Sequence, residues 1–327
     1  MRRRDFITLL GGAAAAWPLA ARAQRAMPVI GFLGTSTAEG GRRQLVAFRE
    51  GLNESGFIEG RNVAVEFRWA DNQYDRLPAL AADLVQRHVA VIVVAVGAPN
   101  TVFAAKAATA TIPIVFGVGS DPVQLGLVAS LARPGGNLTG VTSLGRELQA
   151  KRLEILRELV PNVTAIGLLV NPNNPNTEPS VRELQQLARA GAWALHVAAV
   201  TTESDFDTAI ASLVRAGAGA LLPAADSLLS SSSDQIVALA NRYRVPAIYT
   251  QRYAVENGGL MSYGNSLAEE YRLVGQYAGR ILKGEKPADM PVQQATKVEL
   301  VINLNAAKAL GIAVPLSLAY RADELIE

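Results

Sequence analysis

From residue 27 onward, short apolar runs alternate with longer stretches in which apolar positions recur every three or four residues. Val29–Leu33, Val63–Arg68, Val89–Val96 and Ile114–Phe116 are rich in β-branched residues and flanked by Gly or Pro. That is the composition of strands buried on both faces of a parallel sheet. Between them, Gly41–Ser55 and Tyr74–Gln86 follow a helical period. Gly56, after Asn53-Glu54-Ser55, supplies a helix stop, and Pro99-Asn100 opens a helix that runs through Ala108. A second series begins after Pro161, with strands over Ala165–Val170, Ala194–Val200, Ala220–Leu222 and Pro246–Tyr249. Helices over Thr177–Ala190, Ser204–Ala216 and Ser233–Tyr243 separate them, and Ser204-x-x-Asp207 predicts a capping box for the second.

Two β-α-β-α runs of about 120 residues each predict two doubly wound parallel sheets, an α/β architecture. The seam between them, Leu131–Leu148, is rich in Gly, Pro and Arg. Further elements follow the second series: a strand and turn at Gly258–Asn265, a helix at Leu267–Leu282 and a strand at Val298–Asn303. They predict that the chain crosses between the lobes more than once.

The first 23 residues break this pattern. Arg2-Arg3-Arg4, an apolar stretch from Phe6 to Ala20 and Ala21-Arg22-Ala23 have the layout of an export signal with an A-x-A cleavage site. The apolar part is shorter than the roughly 20 residues that span a bilayer. Paired arginines before Asp5-Phe6-Ile7 give the segment a twin-arginine character. The expected product is a periplasmic protein cleaved near Ala23. This segment also distorts the charge: the chain's formal +2 includes +3 from the segment, which leaves −1 for the remainder. A nearly neutral body argues against nucleic acid as a partner.

With 327 residues, half of them hydrophobic, the chain can fill two full-sized cores. It has no cysteine, which excludes disulfides, thiolate metal sites and cysteine nucleophiles. Its two histidines, His88 and His196, fall at a helix end and inside a strand, where packing or capping accounts for them. There is no P-loop and no G-x-S-x-G elbow. Gly117-Val118-Gly119 and Gly217-Ala218-Gly219 lack the third glycine of a dinucleotide fingerprint. No catalytic constellation, cofactor or metal site is expected.

What the strand ends do share is small polar chemistry. Gly34-Thr35-Ser36, Gly97-Ala98-Pro99-Asn100, Gly119-Ser120-Asp121-Pro122, Asn171-Pro172-Asn173-Asn174 and Ala225-Asp226-Ser227 each follow a predicted strand, and Tyr249-Thr250 and Ser262-Tyr263-Gly264 come later. Carboxyl ends of strands are where open α/β sheets bind ligands. Hydroxyl and N–H donors there would take a carboxylate, Asp121 or Asp226 an ammonium, and the tyrosines a flat apolar group. Any βα loop also uses these residues for turns and caps. Trp69 reads as helix packing or the lip of a cleft, and Arg146 and Arg152 as solvated or hinge-side charges.

The chain resembles ABC-transporter substrate-binding proteins of the group related to tryptophan and tyrosine transporters, with the type I periplasmic binding fold. The resemblance runs over 27–313 and rests on Ile30-Gly31-Phe32-Leu33, Glu66-Phe67-Arg68-Trp69-Ala70, Ser120-Asp121-Pro122-Val123, Ala132–Gly140, Lys151–Leu156, Asn171-Pro172-Asn173 and the Gly275–Gly284 helix. It implies three crossovers, near Thr142–Glu147, Met261–Asn265 and Pro287–Lys297, with one lobe over 27–143 plus 264–290 and the other over 144–263 plus 291–320. It implies a ligand between them, held by Thr35, Ser36, Gly97, Ala98, Ser120 and Asp121 on one side and by Asn171, Asn173, Asp226, Tyr249 and Tyr263 on the other. The expected protein is a monomer that binds a small zwitterionic or neutral solute, an aromatic amino acid first among them, and docks on an ABC permease with its ATPase subunit. A periplasmic sensory module and an enzyme on the same scaffold are the alternatives; a DNA-binding regulator conflicts with the export signal.

Overall fold

The computed structural model describes residues 27–143 and 147–327. The segment at 1–23 expected to be an export signal, and Arg146, lie outside the described residues. The first sheet contains β1 (Val29–Gly34), β2 (Ala64–Trp69), β3 (Val91–Gly97), β4 (Ile114–Val118), β5 (Leu138–Ser143) and β11 (Gln293–Ala295), in the order β11-β5-β4-β3-β1-β2. Every neighbouring pair is parallel. Alternation along β3 divides the core: Val91 and Val93 face one layer with Phe32, Phe48 and Val274, while Ile92 and Val94 face the other with Leu84, Val102 and Phe116. The period of two in a strand buried on both faces produces this split.

Helix α1 (Arg42–Glu54) covers the first of these faces together with α10 (Leu267–Leu282), which returns from late in the chain. The two helices approach closely because both carry glycine at the contact. A Cβ on Gly51 would lie 1.8 Å from the Arg272 carbonyl oxygen, and one on Gly275 would lie 2.2 Å from that of Phe48. The opposite face is covered by α2 (Leu77–Gln86) and α3 (Pro99–Ala108).

The second lobe has β6 (Ala165–Val170), β7 (Ala194–Ala199) and β8 (Ala220–Pro223) in parallel, ordered β7-β6-β8. A four-stranded group adds β9 (Ile248–Tyr249), β10 (Met261–Asn265), β12 (Val298–Asn303) and β13 (Glu324–Ile326), in the order β13-β12-β10-β9. One bridge, Leu221 to Ala247, with the Leu221 N–H donating to the Pro246 carbonyl at 2.8 Å, joins the groups into one surface. Among the described strands only β10 and β12 run antiparallel. A single core cluster spans this lobe, from Leu153 through Phe206 and Ile236 to Leu318.

Two sequence expectations are corrected. The Gly- and Pro-rich seam contains β5, an entirely buried strand. Its polar residues are satisfied internally, with the Thr139 hydroxyl donating to the Met290 carbonyl at 2.7 Å and that of Thr142 to Ser120 at 2.9 Å. The capping box lies two residues before the expected one, where Asp205 accepts the Thr202 N–H at 2.9 Å. Asp207 instead accepts the Tyr243 hydroxyl at 2.5 Å. Gly264 and Asn265 pair with Glu299 and Val298 in the second sheet. Gln293–Ala295 pairs with β5 in the first.

Candidate functional site

The carboxyl ends of the two sheets face each other across a cavity of about 150 Å³. The first sheet contributes Thr35 and Ser36 after β1, Gly97 at the end of β3 and Ala98 after it. The second contributes Ala224–Ser227 after β8, and Asn174, Asn176 and Thr177 at the start of α5 (Thr177–Ala190). Apolar wall comes from Val96, Leu148, Leu168, Val170, Val181 and Tyr271. The lobes touch. The Tyr74 hydroxyl, from the first, donates to Asp226 in the second at 3.1 Å. Gly97 lies so close to Ser227 that an added Cβ would stand 3.0 Å from its hydroxyl oxygen. Arg43 on α1 lies over the Tyr253 ring, 5.2 Å from its centre.

Asp226 is the hub of this contact. It is buried, caps the short helix α7 (Ser227–Ser231) and accepts the N–H groups of Leu228 at 2.8 Å and Leu229 at 3.4 Å. The amides of Asn171, at 3.3 and 3.4 Å, and of Asn174, at 3.0 Å, complete its shell along with Tyr74. A carboxylate offers about four lone-pair positions, so this one is already occupied by the protein's own donors. Burial, with the Asp226 charge second, pushes the Tyr74 phenol far up, and it remains a donor at any physiological pH.

Thus Thr35, Ser36, Gly97, Ala98 and Asp226 line the cavity, and Asn171 stands behind Asp226. The Thr35 hydroxyl is paired with that of Thr101 at 2.7 Å. The other expected residues lie elsewhere. Asp121 is exposed and accepts the Val123 N–H at 2.8 Å, as a turn cap. Asn173 is exposed, its own N–H bound to Asn171. Ser120 stays just outside, its carbonyl fixed by Thr142. Tyr249 is packed in the second core, and Tyr263 pairs with Leu300 in the sheet, presenting its carbonyl to Arg152. Trp69 stacks on Phe67 and covers Gly34 and Gly41, so it packs against the start of α1.

A second group lines the hinge end of the cavity; of its members the sequence singled out only Arg152, as a solvated or hinge-side charge. On α4 (Glu147–Leu159), Gln149 and Arg152 are buried, and Arg152 is neither solvated nor in an ion pair among the described residues. Its Nε donates to the Tyr263 carbonyl at 2.6 Å, while one terminal nitrogen has no partner among the described residues; nor does the Gln149 amide nitrogen. Burial without a counter-charge lowers its pKa to about 10. Opposite them, on and just before α10, are Glu270 and Asn265. Burial raises the Glu270 carboxyl to about 7, against the hold of Asn265 and Ser143 on its charged form. The signal for Glu270 was present in the helical period: it shares the buried stripe of α10 with Leu273, Val274 and Tyr277, where an acid is out of place.

Residues 39–326 match the family model for ABC transporter substrate binding proteins. The chain belongs to this family. The "Tyrosine-binding protein" of Clostridioides difficile (strain R20291) is 30% identical over 265 residues, covering 81% of this chain and 75% of the relative. Among solved structures, a domain from Streptococcus pneumonia in complex with L-Trp aligns with a TM-score of 0.79 and 24% identity, over 92% of this chain and all of that one. The ligand-free, open structure of a substrate binding protein with adhesive properties from Clostridium difficile covers 92% of this chain and 99% of its own at 26% identity, with a TM-score of 0.60. The fold is therefore the two-lobed one of type I periplasmic binding proteins. Among the described residues no helix is long and apolar enough to cross a membrane.

As a substrate-binding protein, the chain needs its lobes to separate and close, and Tyr74–Asp226 is a bond that exists only when they meet. A hydrogen bond to a buried charge contributes about 1.5–3 kcal/mol. Tyr74→Phe should accordingly weaken ligand binding by about tenfold or more, with little effect on the unfolding of either lobe. Calorimetric titration beside urea denaturation measures both; equal affinity in the two proteins would show that the contact contributes nothing to closure.

Proposed function

We propose that this protein is the exported solute receptor of an ABC importer and that its ligand is an aromatic amino acid. The observation that carries the reading is the size and wall of the cavity between the lobes. Its 150 Å³ is many times the roughly 10–15 Å³ that a single water needs, which suits a small solute on the scale of an amino acid. Apolar side chains and peptide edges suit a ring. The tyrosine-binding relative and the tryptophan-bound neighbour support the same ligand class. Arg2-Arg3-Arg4 and the apolar stretch after them support export to the periplasm before the chain is cleaved near Ala23.

In this reading the protein works as a monomer, does no chemistry and needs no cofactor. Its lobes, 27–143 with 264–290 and 144–263 with 291–320, close as hinged bodies. Ligand shifts the equilibrium only through its greater affinity for the closed state, and the closed form is what the permease and its ATPase subunit receive. The test is a thermal-shift and calorimetric screen of the twenty amino acids, with myo-inositol and a pentose as unrelated solutes. Tyrosine or tryptophan should give the largest stabilisation and a micromolar or tighter Kd. Tighter binding of an aliphatic amino acid or a sugar would overturn the ligand assignment.

A further inference from the structure

Arg152 and Glu270 carry opposite charges, are 2% and 3% exposed, and line one cavity. Neither takes part in an ion pair among the described residues. Burying an ionisable group without a partner is costly, and a fold that retains a base and an acid on opposite sides of one cavity has prepared a place for a guest with both charges. Each has a neutral neighbour with spare capacity of the right kind. Gln149, three residues before Arg152 on the same helix face and 4% exposed, has an amide nitrogen without an acceptor. Asn265, just before the helix that carries Glu270, has an amide oxygen without a donor, while its nitrogen is bound to the Ala295 carbonyl.

We infer that the hinge end of the cleft is a head-group subsite for a free α-amino acid, with Arg152 and Gln149 taking the carboxylate and Glu270 and Asn265 the ammonium. This replaces the role that the sequence reading gave to Asp226, whose oxygens are filled. It rests on the proposed amino-acid ligand and adds which end of the ligand meets which lobe. Arg152 rides on α4, packed in the second lobe, and Glu270 on α10, packed on the first sheet. A zwitterion therefore spans the hinge and contacts both lobes, which is what differential affinity for the closed state demands. A ligand with only one of the two charges holds only one lobe.

The experiment removes charges from the ligand and from the protein in turn. Tyrosine, tyramine (no carboxylate), 3-(4-hydroxyphenyl)propionate (no ammonium) and N-acetyltyrosine are titrated into the parent protein, Arg152→Met, Arg152→Lys and Glu270→Gln. In the parent, each tyrosine analogue should bind at least 100-fold more weakly than tyrosine. Arg152→Met should lose at least 100-fold for tyrosine and less than threefold for tyramine, with Arg152→Lys between. Glu270→Gln should show the same selectivity toward tyrosine over the propionate. If the analogues bind the parent as well as tyrosine does, or if Arg152→Met weakens tyrosine and tyramine equally, the subsite is wrong. If Arg152→Met fails to fold, Arg152→Lys and Glu270→Gln still decide, since each should weaken tyrosine more than the analogue that lacks the matching charge. If leucine or glutamine binds instead of tyrosine but still requires both its amine and its carboxylate, the aromatic reading fails while the head-group subsite stands.

Discussion

A Glu270→Gln protein should be more stable than the parent at pH 8 by about 3 kcal/mol, and by less than about 1 kcal/mol near pH 5. The carboxyl titrates at about 7 in the folded chain, against an ordinary value of 4.5, because burial disfavours its ionised form. Below pH 4.5 folded and unfolded chains both hold the proton, and the group costs nothing. Between 4.5 and 7 the unfolded chain releases its proton while the folded one retains it, so stability falls by about 1.4 kcal/mol for each pH unit. Above 7 the loss is complete. Glutamine has the shape without the charge and abolishes this slope. Urea denaturation of both proteins at pH 5, 6, 7 and 8, without ligand, measures it; a gap that stays constant with pH would mean that Glu270 does not ionise in this range. Saturating tyrosine should reverse the order at pH 8, since the ligand's ammonium supplies the missing counter-charge to the parent alone.

Gly275→Ala should destabilise the chain by about 3 kcal/mol or more. Two effects oppose each other. Alanine is the better helix former by about 1 kcal/mol. Against this, the new methyl would stand 2.2 Å from the Phe48 carbonyl oxygen and 2.8 Å from the Leu52 nitrogen. These are backbone atoms in a helix and cannot swing aside as a side-chain tip would. Relief requires α1 and α10 to move apart, which strips contacts from Phe48, Leu52 and Val274 together, so the cost belongs at or beyond the upper end of overpacking. Denaturant midpoints and protease sensitivity of the 266–296 region would report it. A gain in stability would show that the helices are less tightly seated than described.

The architecture was legible because its strands are pure. A run such as Val91-Ile92-Val93-Val94, buried on both faces, has no other reading. The seam hid β5 for the opposite reason. Leu-Thr-Gly-Val-Thr-Ser has the composition of a turn, and only the carbonyls offered to Thr139 and Thr142 by distant segments make it a buried strand. Sequence locality could not supply those partners. At the cleft, the rule that ligands meet the carboxyl ends of strands pointed to the loops that hold Thr35, Ser36, Gly97 and Asp226. It could not say which way each loop side chain turns, and Asp121 and Asn173 turn outward. The hinge-end group escaped the rule altogether, since Gln149, Arg152 and Glu270 sit on helices that begin just after a crossing. Their clue is an ionisable residue on an apolar helix face.

The return of α10 and β11 to the first sheet imposes an order on synthesis. A nascent polypeptide that has reached residue 265 already contains every other strand of that sheet, yet β5 has an open edge and α1 lacks the neighbour that α10 supplies. The amino-terminal half thus remains unfinished until material past residue 296 is available, and it must wait, exposed, while the other lobe assembles. Chaperone dependence and premature-termination products would be concentrated in that interval.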